Sequence, residues 1–416
     1  MDKKIFTLPN GLRVLVIENN QVETVALNLV GQAGTMFEKA DQIGVAHFLE
    51  HVVFDATRDY PDENSLTGLV EDVGGVRGGL TNKEIVEYWI KILPEHIERA
   101  FMYLSQITLY PMLKEKDIEK HKGIIEQEIG RIKADPEKYA MPASYTILYP
   151  NQSIGGLTTG DVQDIKTIDR HTLESFLHDR YYAQNFILVV CGKCDVATIQ
   201  ALAGKYFSDM KSGTSLSVKL QPNYDKDLFI ERRPGLKQTA LQINYHGFRQ
   251  DDKKSAAAEF ISALFSRGKL SRLNKRIRDE LSLAYVIRAQ HYTGLRYGLF
   301  NIYSGLAEKN IPIYLQAIHD ECEKIIDYDI KQDEWQKTLA LLETSFKYSF
   351  EEMLTMGRFY ARTHADRSEI RDHGEIIKAY KSLTQEDIRT TARELFSQEP
   401  KITVIGEKIP PELFEH

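Results

Sequence analysis

The 416-residue chain repeats one order of predicted secondary structure. Each half reads as a strand, helices, a pair of strands, long helices, a further helix and a final strand. The half-endings show the repeat most directly, because in each a helix leads into an apolar run, at residues 186–190 and 402–405. Chance likeness between two halves of mixed structure is the alternative. The repeat predicts a duplicated α+β domain as the fold class.

The composition changes between the two halves. Residues 213–227 contain Ser, Gly, Thr, Pro, Asn and Asp without a clear period, which is typical of a linker. We therefore expect one domain over residues 1–212 and a second over residues 228–416.

Charge and hydropathy exclude several classes of partner. The net charge is −7, with 42% hydrophobic and 27% charged residues, which favours a globular protein and gives no basic surface for nucleic acid. No apolar run has the length of a membrane span, and the N-terminus shows no signal peptide. We expect neither a nucleic acid nor a membrane as partner.

The three cysteines are too few for a disulfide framework, so the sequence favours a reducing compartment. Cys191 and Cys194 form a C-x-x-C pattern. A redox dithiol is one interpretation; the favoured one is the end of a strand followed by a glycine turn, because no second Cys pair or nearby His completes a metal set.

His47, Glu50 and His51 form the pattern H-x-x-E-H. On a helix, which we expect over residues 41–54, they share one face, so two imidazoles and a carboxylate converge. A surface or capping role is the alternative. The flanking residues are apolar, which indicates a buried helix, and buried His and Glu side chains require partners. The pattern therefore favours a metal, with zinc as the first candidate.

A catalytic zinc usually has three protein ligands and one open position. The motif supplies two imidazoles, since Glu50 must stay free as the base. The long amphipathic helix predicted over residues 115–134 offers Glu126 and Glu128 as the third ligand.

Three stretches together resemble the pitrilysin and insulinase-like zinc peptidases, known as inverzincins from their reversed motif. They are residues 44–51, 124–129 and 271–285, and the resemblance covers nearly the whole chain. The likeness is closest to the short-subunit type, typified by mitochondrial processing peptidase and its bacterial relatives. It implies two similar half-domains, each a mostly antiparallel sheet packed with helices, that form half of a clamshell chamber.

The resemblance also implies roles for individual residues. Glu128 matches the third zinc ligand by its distance from His51 and by the aliphatic Ile129 that follows it. Glu126 is the alternative, as a residue behind the ligands or facing solvent. Arg278 and Tyr285, seven residues apart, match a pair that reaches the substrate at the zinc; a surface Arg and a core Tyr are the plainer interpretation.

Two positions depart from the family pattern. The family usually has a Glu seven residues before the third ligand, where this chain has His121, which could support the ligands, cap a helix or face solvent. The substrate-binding strand usually carries an Asn that faces the scissile bond, where this chain has Gly78. That strand here contains Gly78, Gly79, Leu80 and Thr81.

The predicted function is that of a zinc metalloendopeptidase in which Glu50 acts as general base on water. The substrate would be an extended peptide added to the edge of the strand at residues 78–81. Because the chain has both the zinc set and the Arg/Tyr pair, the resemblance implies a homodimer, with a heterodimer as the alternative. A non-catalytic scaffold of the same fold is the rival interpretation. The expected location is the bacterial cytoplasm.

Overall fold

The computed structural model describes residues 2–214, 218–225, 227–364 and 372–409. Residues 215–217 and 226 of the predicted linker lie outside the described residues. The strands are β1 Asp2–Thr7, β2 Arg13–Glu18, β3 Val25–Gly31, β4 Val76–Thr81, β5 Val86–Ile92, β6 Phe186–Gly192, β7 Asp227–Arg232, β8 Thr239–His246, β9 Ala284–Thr293, β10 Gly298–Leu306 and β11 Lys401–Gly406.

The α-helices of the described residues surround these strands. They are α1 Val45–Val52, α2 Glu63–Glu71, α3 Ile97–Leu109, α4 Glu115–Ala134, α5 Pro136–Leu148, α6 Val162–Thr167, α7 Arg170–Arg180, α8 Val196–Phe207, α9 Ser255–Ser266, α10 Ile311–Asp327, α11 Gln332–Ser349, α12 Met353–Thr363, α13 His373–Lys381 and α14 Gln385–Phe396. A π-helical segment covers Asn274–Glu280.

The strands form two sheets with one topology. The first has the order β1-β2-β6-β3-β5-β4 and the second the order β7-β11-β8-β10-β9. Strands β2 to β6 therefore correspond in turn to β7 to β11, and β1 is an addition that forms a hairpin with β2. In each sheet one strand pair is parallel and the other pairs are antiparallel. The predicted α+β fold, with two similar and mostly antiparallel sheets, is confirmed.

The chain divides into two compact units, each of which takes a segment from the other half of the sequence. Unit 1 contains residues 1–130, 152–219 and 348–371, and unit 2 contains residues 131–151, 220–347 and 372–416. In unit 1, α12 packs on β3 and β6; in unit 2, α5 packs on β8 and β11. The sequence analysis expected two continuous domains and did not predict this exchange of helices.

The core of unit 1 lies on both faces of its sheet. Every residue of β3 and β6 is buried, which explains their nearly continuous apolar sequences. One face packs on helices that include α1, α3, α7 and α8, and the other on α12. On the α12 face the fully buried Glu87 accepts hydrogen bonds from Arg358, Arg362 and Asn28, so its charge is neutralised.

The helix that carries the H-x-x-E-H motif is shorter than the predicted 41–54. It begins at Val45 because Gly44 has a left-handed backbone, with φ of +89°, and a Cβ there would lie 2.7 Å from the Thr159 carbonyl oxygen. No helix among the described residues is both long and apolar enough to traverse a bilayer.

Candidate metal centre and peptide edge

Three potential metal ligands meet inside unit 1. Helix α1 presents His47 and His51 one turn apart, and α4 brings Glu128 beside them. Its Oε2 lies 3.7 Å from Nε2 of His47 and 3.6 Å from Nε2 of His51. The same three are the metal-ligand group found among the described residues, with ligand atoms within 4.8 Å of one another. Glu126, the alternative on the same helix, is exposed to solvent.

These separations suit one small cation. Zinc with bonds of about 2.0–2.2 Å in tetrahedral geometry separates its ligand atoms by roughly 3.3 Å, a few tenths less than the distances here. Burial lowers the pKa of His47 to about 3 and that of His51 to about 4, so both imidazoles are neutral near pH 7. Neutral imidazoles beside a carboxylate form a donor set that a divalent cation would complete.

Glu38, which the sequence analysis missed, holds the start of the motif helix. Its carboxylate accepts hydrogen bonds from the backbone N–H of Gly44 at 3.0 Å and of Ala46 at 2.9 Å. It therefore satisfies two of the N–H groups that a helix leaves unpaired at its N-terminus. Both His ligands lie within the two turns that follow, so Glu38 helps to fix their positions.

Glu50 points from α1 to the edge strand β4. Its Oε2 accepts a hydrogen bond of 2.9 Å from the hydroxyl of Thr81, and a side chain at Gly79 would collide with its carboxyl group. Burial raises the pKa of Glu50 to about 7; the Thr81 hydrogen bond lowers it and the nearby Glu128 raises it. A carboxyl group with that pKa can take up and release a proton near neutral pH.

His121 is buried and contacts Asp55 and His51. Its Nε2 is hydrogen-bonded to Asp55, and its ring meets that of His51 edge to face with centroids 5.5 Å apart. Asp55 also accepts a hydrogen bond of 2.7 Å from Lys120. His121 therefore neither faces solvent nor caps a helix. Sequence reasoning named His121 but missed Asp55, which is 66 residues away and had no local pattern to reveal it.

Strand β4 forms one edge of the first sheet. A Cβ at Gly78 would lie 2.5 Å from the indole of Trp89, whereas Gly79 is the residue turned to Glu50. The resemblance implied that position 78 faces the scissile bond; in this chain the backbone directs it to Trp89 on the other face of the sheet. Leu80 shares the face of Gly78, because side chains alternate along a strand.

Arg278 and Tyr285 lie in unit 2, at the π-helical segment and the start of β9. The Arg278 guanidinium lies 4.3 Å from the centre of the Tyr285 ring, and Tyr285 is 71% exposed. A core position for this Tyr is excluded. The two side chains form one pair that is open to solvent.

The cysteines of the C-x-x-C pattern lie away from the metal ligands. Cys191 is buried in β6, and Cys194 follows the turn at Gly192, as the favoured interpretation predicted. Burial raises the pKa of the Cys194 thiol to about 12, and it raises that of Cys191 as well. Both therefore remain protonated thiols near neutral pH, which is the opposite of a reactive dithiol.

Comparisons with known proteins agree with the fold and indicate the family. The family description "Insulinase (Peptidase family M16)" matches residues 13–161, and "Peptidase M16 inactive domain" matches residues 167–342. Together the two matches span most of the chain. The chain belongs to the insulinase family of peptidases, family M16.

Individual relatives cover almost the full length. An uncharacterized zinc protease of Rickettsia bellii is 24% identical over 400 residues, which are 96% of this chain and 96% of that protein. The crystal structure of a protease from Helicobacter pylori superposes with a TM-score of 0.89 at 18% identity, over 97% of this chain and 99% of the other. A peptidase M16 inactive domain from Pseudomonas fluorescens gives a TM-score of 0.90 at 18% identity, over 98% and 99%. At such identities the structural likenesses establish the fold.

Proposed function

We propose that this chain is a zinc-dependent endopeptidase that hydrolyses peptides or unfolded protein segments bound in extended form within a closed chamber. The observation that carries the proposal is the convergence of His47, His51 and Glu128 with Glu50 beside them. His47, His51 and Glu128 would hold the zinc. When bound, the zinc supplies a Lewis acid that activates water and polarises the peptide carbonyl.

The residues of the chain perform the remaining steps. Glu50 accepts a proton from the attacking water and returns it to the amine leaving group. Thr81 orients Glu50 through its hydrogen bond, and the missing side chain at Gly79 leaves room for the Glu50 carboxyl group against β4. The peptide adds as a further strand to the edge of β4, with main-chain hydrogen bonds that require little particular sequence.

Arg278 and Tyr285 belong to this proposal as substrate-contacting residues. In a homodimer they would act on a peptide bound at the partner copy's zinc set. The phenol would donate a hydrogen bond to the oxyanion that forms as water attacks, and the guanidinium would hold a substrate carbonyl. The exposure of Tyr285 supports this role, because its hydroxyl is available to a ligand.

The test measures zinc content and peptide cleavage by the purified chain. We expect one zinc per chain and chelator-sensitive cleavage of a quenched fluorescent peptide. Glu50→Gln should retain zinc but lower kcat by about a hundredfold or more, since a general base contributes roughly 10² to 10⁴. Glu126→Gln, which changes an exposed acid on α4, is the matched control and should cleave at the wild-type rate.

A second candidate is a subunit that is inactive alone or that only supports an assembly. The departures at Gly78 and His121 favour it, and the match of residues 167–342 to an inactive domain is compatible with either candidate. Zinc binding without cleavage by this chain alone would support a subunit that requires a related partner. Absence of zinc from the purified chain would support the scaffold and contradict the peptidase.

A further inference from the structure

Trp89 occupies the space that a side chain at position 78 would take. It is the cross-strand partner of Gly78 in the β4–β5 pair. A Cβ built on Gly78 would lie 2.5 Å from Cζ2, 2.7 Å from Cε2 and 2.9 Å from Nε1 of the indole. The ring therefore covers the glycine, an arrangement in which an aromatic side chain shields a strand position that has no side chain of its own.

The charged neighbours of the indole are held in ion pairs, and its other neighbours are apolar. On the same face of β5 its neighbours are Glu87, which is bound by two Arg side chains of α12, and Lys91, which is 3.0 Å from Glu352. On β4, Val76 and Leu80 flank Gly78 on this face, and Val76 is 53% exposed. Trp89 itself is half-buried, and its N–H has no hydrogen-bond partner among the described residues.

We infer that Trp89, with Val76, Gly78 and Leu80, forms a specificity subsite for one large apolar side chain of the substrate; we call these four residues the Gly78 notch. The inference rests on the proposed peptidase function and names the class of peptide it favours. A peptide strand added to β4 places alternate side chains on the Gly78 face. The side chain opposite Gly78 meets no β4 side chain and instead reaches the edge of the indole.

The preferred occupant is aromatic or a long aliphatic side chain. Such a side chain places the largest apolar surface against the indole that covers Gly78, and paired aromatic rings add an attraction beyond their buried area. Asp, Glu and Lys would lose solvation in the notch without gaining a partner, because the neighbouring charges of Glu87 and Lys91 are already paired.

The neighbouring subsite differs because the next peptide residue lies opposite Gly79, on the face of Glu50. The Gly78 notch therefore contacts the substrate side chain at one position, which lies at a fixed distance from the cleaved bond. Aromatic pairs contribute enough for about a three- to tenfold preference at that position.

The first arm of the test maps cleavage sites in a mixed peptide library by mass spectrometry. Wild type should enrich Phe, Tyr, Trp, Leu or Met about three- to tenfold at one position relative to the cleaved bond. Trp89→Ala should lose this enrichment, whereas Trp89→Phe should keep most of it. Gly78→Ala, which leaves the zinc ligands intact, should also weaken it, because its Cβ displaces the indole. Cleavage by wild type without enrichment, or an enrichment that folded Trp89→Ala retains, overturns the inference and leaves the peptidase proposal standing.

The second arm needs no catalysis. The chain has two Trp residues, so the zinc-loaded double variant Glu50→Gln/Trp335→Phe emits from Trp89 alone. A peptide with Phe at the enriched position should shift this emission and bind about three- to tenfold more tightly than its Ala counterpart. If wild type cleaves nothing, peptides scanned with Phe at each position are used; a shift and tighter binding for one of them would support the notch while the peptidase proposal fails. No shift with any peptide overturns the inference.

Discussion

The two halves share a strand order, and they differ in the helix that follows the second corresponding strand. Helix α1 follows the second of the five corresponding strands in the first half, and α9 follows it in the second. If Phe48 and Leu49 are matched with Phe260 and Ile261, then Glu259, Ser262 and Ala263 stand where His47, Glu50 and His51 stand in α1. The duplicated fold therefore carries the ligand pattern once.

In the second half, the one acidic residue of α9 is neutralised by an ion pair. Glu259 forms an ion pair of 3.1 Å with Arg267, while the side chains of Ser262 and Ala263 are small and buried. In the first half, the neutral imidazoles of His47 and His51 meet the Glu128 carboxylate and form a donor set. The comparison teaches that this fold tolerates either solution, so the chemistry depends on individual side chains.

The edge strands β4 and β9 also differ in the side chains that lie beside them. Ser266, the last residue of α9, bonds the main chain of Ala289 in β9. Its hydroxyl accepts a hydrogen bond of 2.7 Å from the N–H of Ala289 and donates one of 3.0 Å to the carbonyl of the same residue. The Ser266 hydroxyl therefore bonds the N–H and carbonyl groups that an added strand would need. In β4 the corresponding edge has two glycines, and Glu50 lies beside it. Among the described residues no side chain bonds the main chain of β4 in this way, whereas the edge of β9 is closed at its centre.

The largest effect should come from replacing a residue of α1 by the residue at the matched position of α9. His51→Ala introduces the residue that stands at the matched position 263, and it removes one of the three proposed zinc ligands. We expect zinc affinity to fall by more than a hundredfold, because even residues behind metal ligands are worth about 10- to 100-fold. Competition with a zinc-binding dye measures this loss. Glu126→Ala on α4 is the control, and an unchanged affinity in His51→Ala would contradict the assignment.

Acid should lower the stability of unit 2. Burial lowers the pKa of His246 and of His291 in unit 2 to about 4, below the ordinary value of 6.5. The native state then binds fewer protons than the unfolded state below pH 6.5, so these groups favour folding above that pH, and the benefit is lost as the pH falls through 4. We expect unit 2 to lose about 2 kcal/mol per His between pH 7 and pH 5.

If unit 1 holds the proposed zinc, it should respond to acid only after the metal is removed. The proposed ligands His47 and His51 also have lowered pKa values, but bound zinc would compete with protons for them. Urea unfolding is followed by Trp89 in unit 1 and by Trp335 in unit 2, in the single-Trp variants Trp335→Phe and Trp89→Phe. A chelator should make the Trp89 transition acid-sensitive and leave the Trp335 transition unchanged; equal sensitivity with and without chelator would oppose this expectation.

Local sequence patterns predicted elements with clear periodicity. Helix α4 has the predicted bounds, since it has an amphipathic repeat between polar residues. The start of α1 was wrong, because it depends on the close approach of Gly44 to residues 159 and 160. Helix α5 was missed; it has a Pro inside and packs on strands from the other half of the sequence. Contacts of this range leave no local pattern.

The same distinction holds for the candidate site. The spacing in the motif and the family pattern together pointed to the residues that the structure brings together, namely His47, His51 and Glu128. Glu38, Asp55 and Trp89 were missed, because each acts through a partner that lies near it only after folding.

Removal of the Glu38 carboxylate should have a smaller effect than loss of a ligand. Glu38→Ala leaves the N–H groups of Gly44 and Ala46 buried without their acceptor, which should cost about 1–3 kcal/mol in the free energy of unfolding. Helix α9 offers the control, because Lys254 at its N-cap makes no side-chain cap and Lys254→Ala should cost much less. Urea unfolding of both variants measures the difference, and similar losses would mean that Glu38 does not stabilise α1.

The smallest effect concerns the closed edge of the second sheet. Ser266→Ala removes the hydroxyl that bonds both main-chain groups of Ala289, and the loss should be about 1 kcal/mol, since water can replace it at an edge. Amide hydrogen exchange at Ala289 should become faster, and Ser266→Thr, which keeps the hydroxyl, should restore protection. If exchange at Ala289 stays slow in Ser266→Ala, another group closes this edge, and the contrast with the edge of β4 does not depend on Ser266.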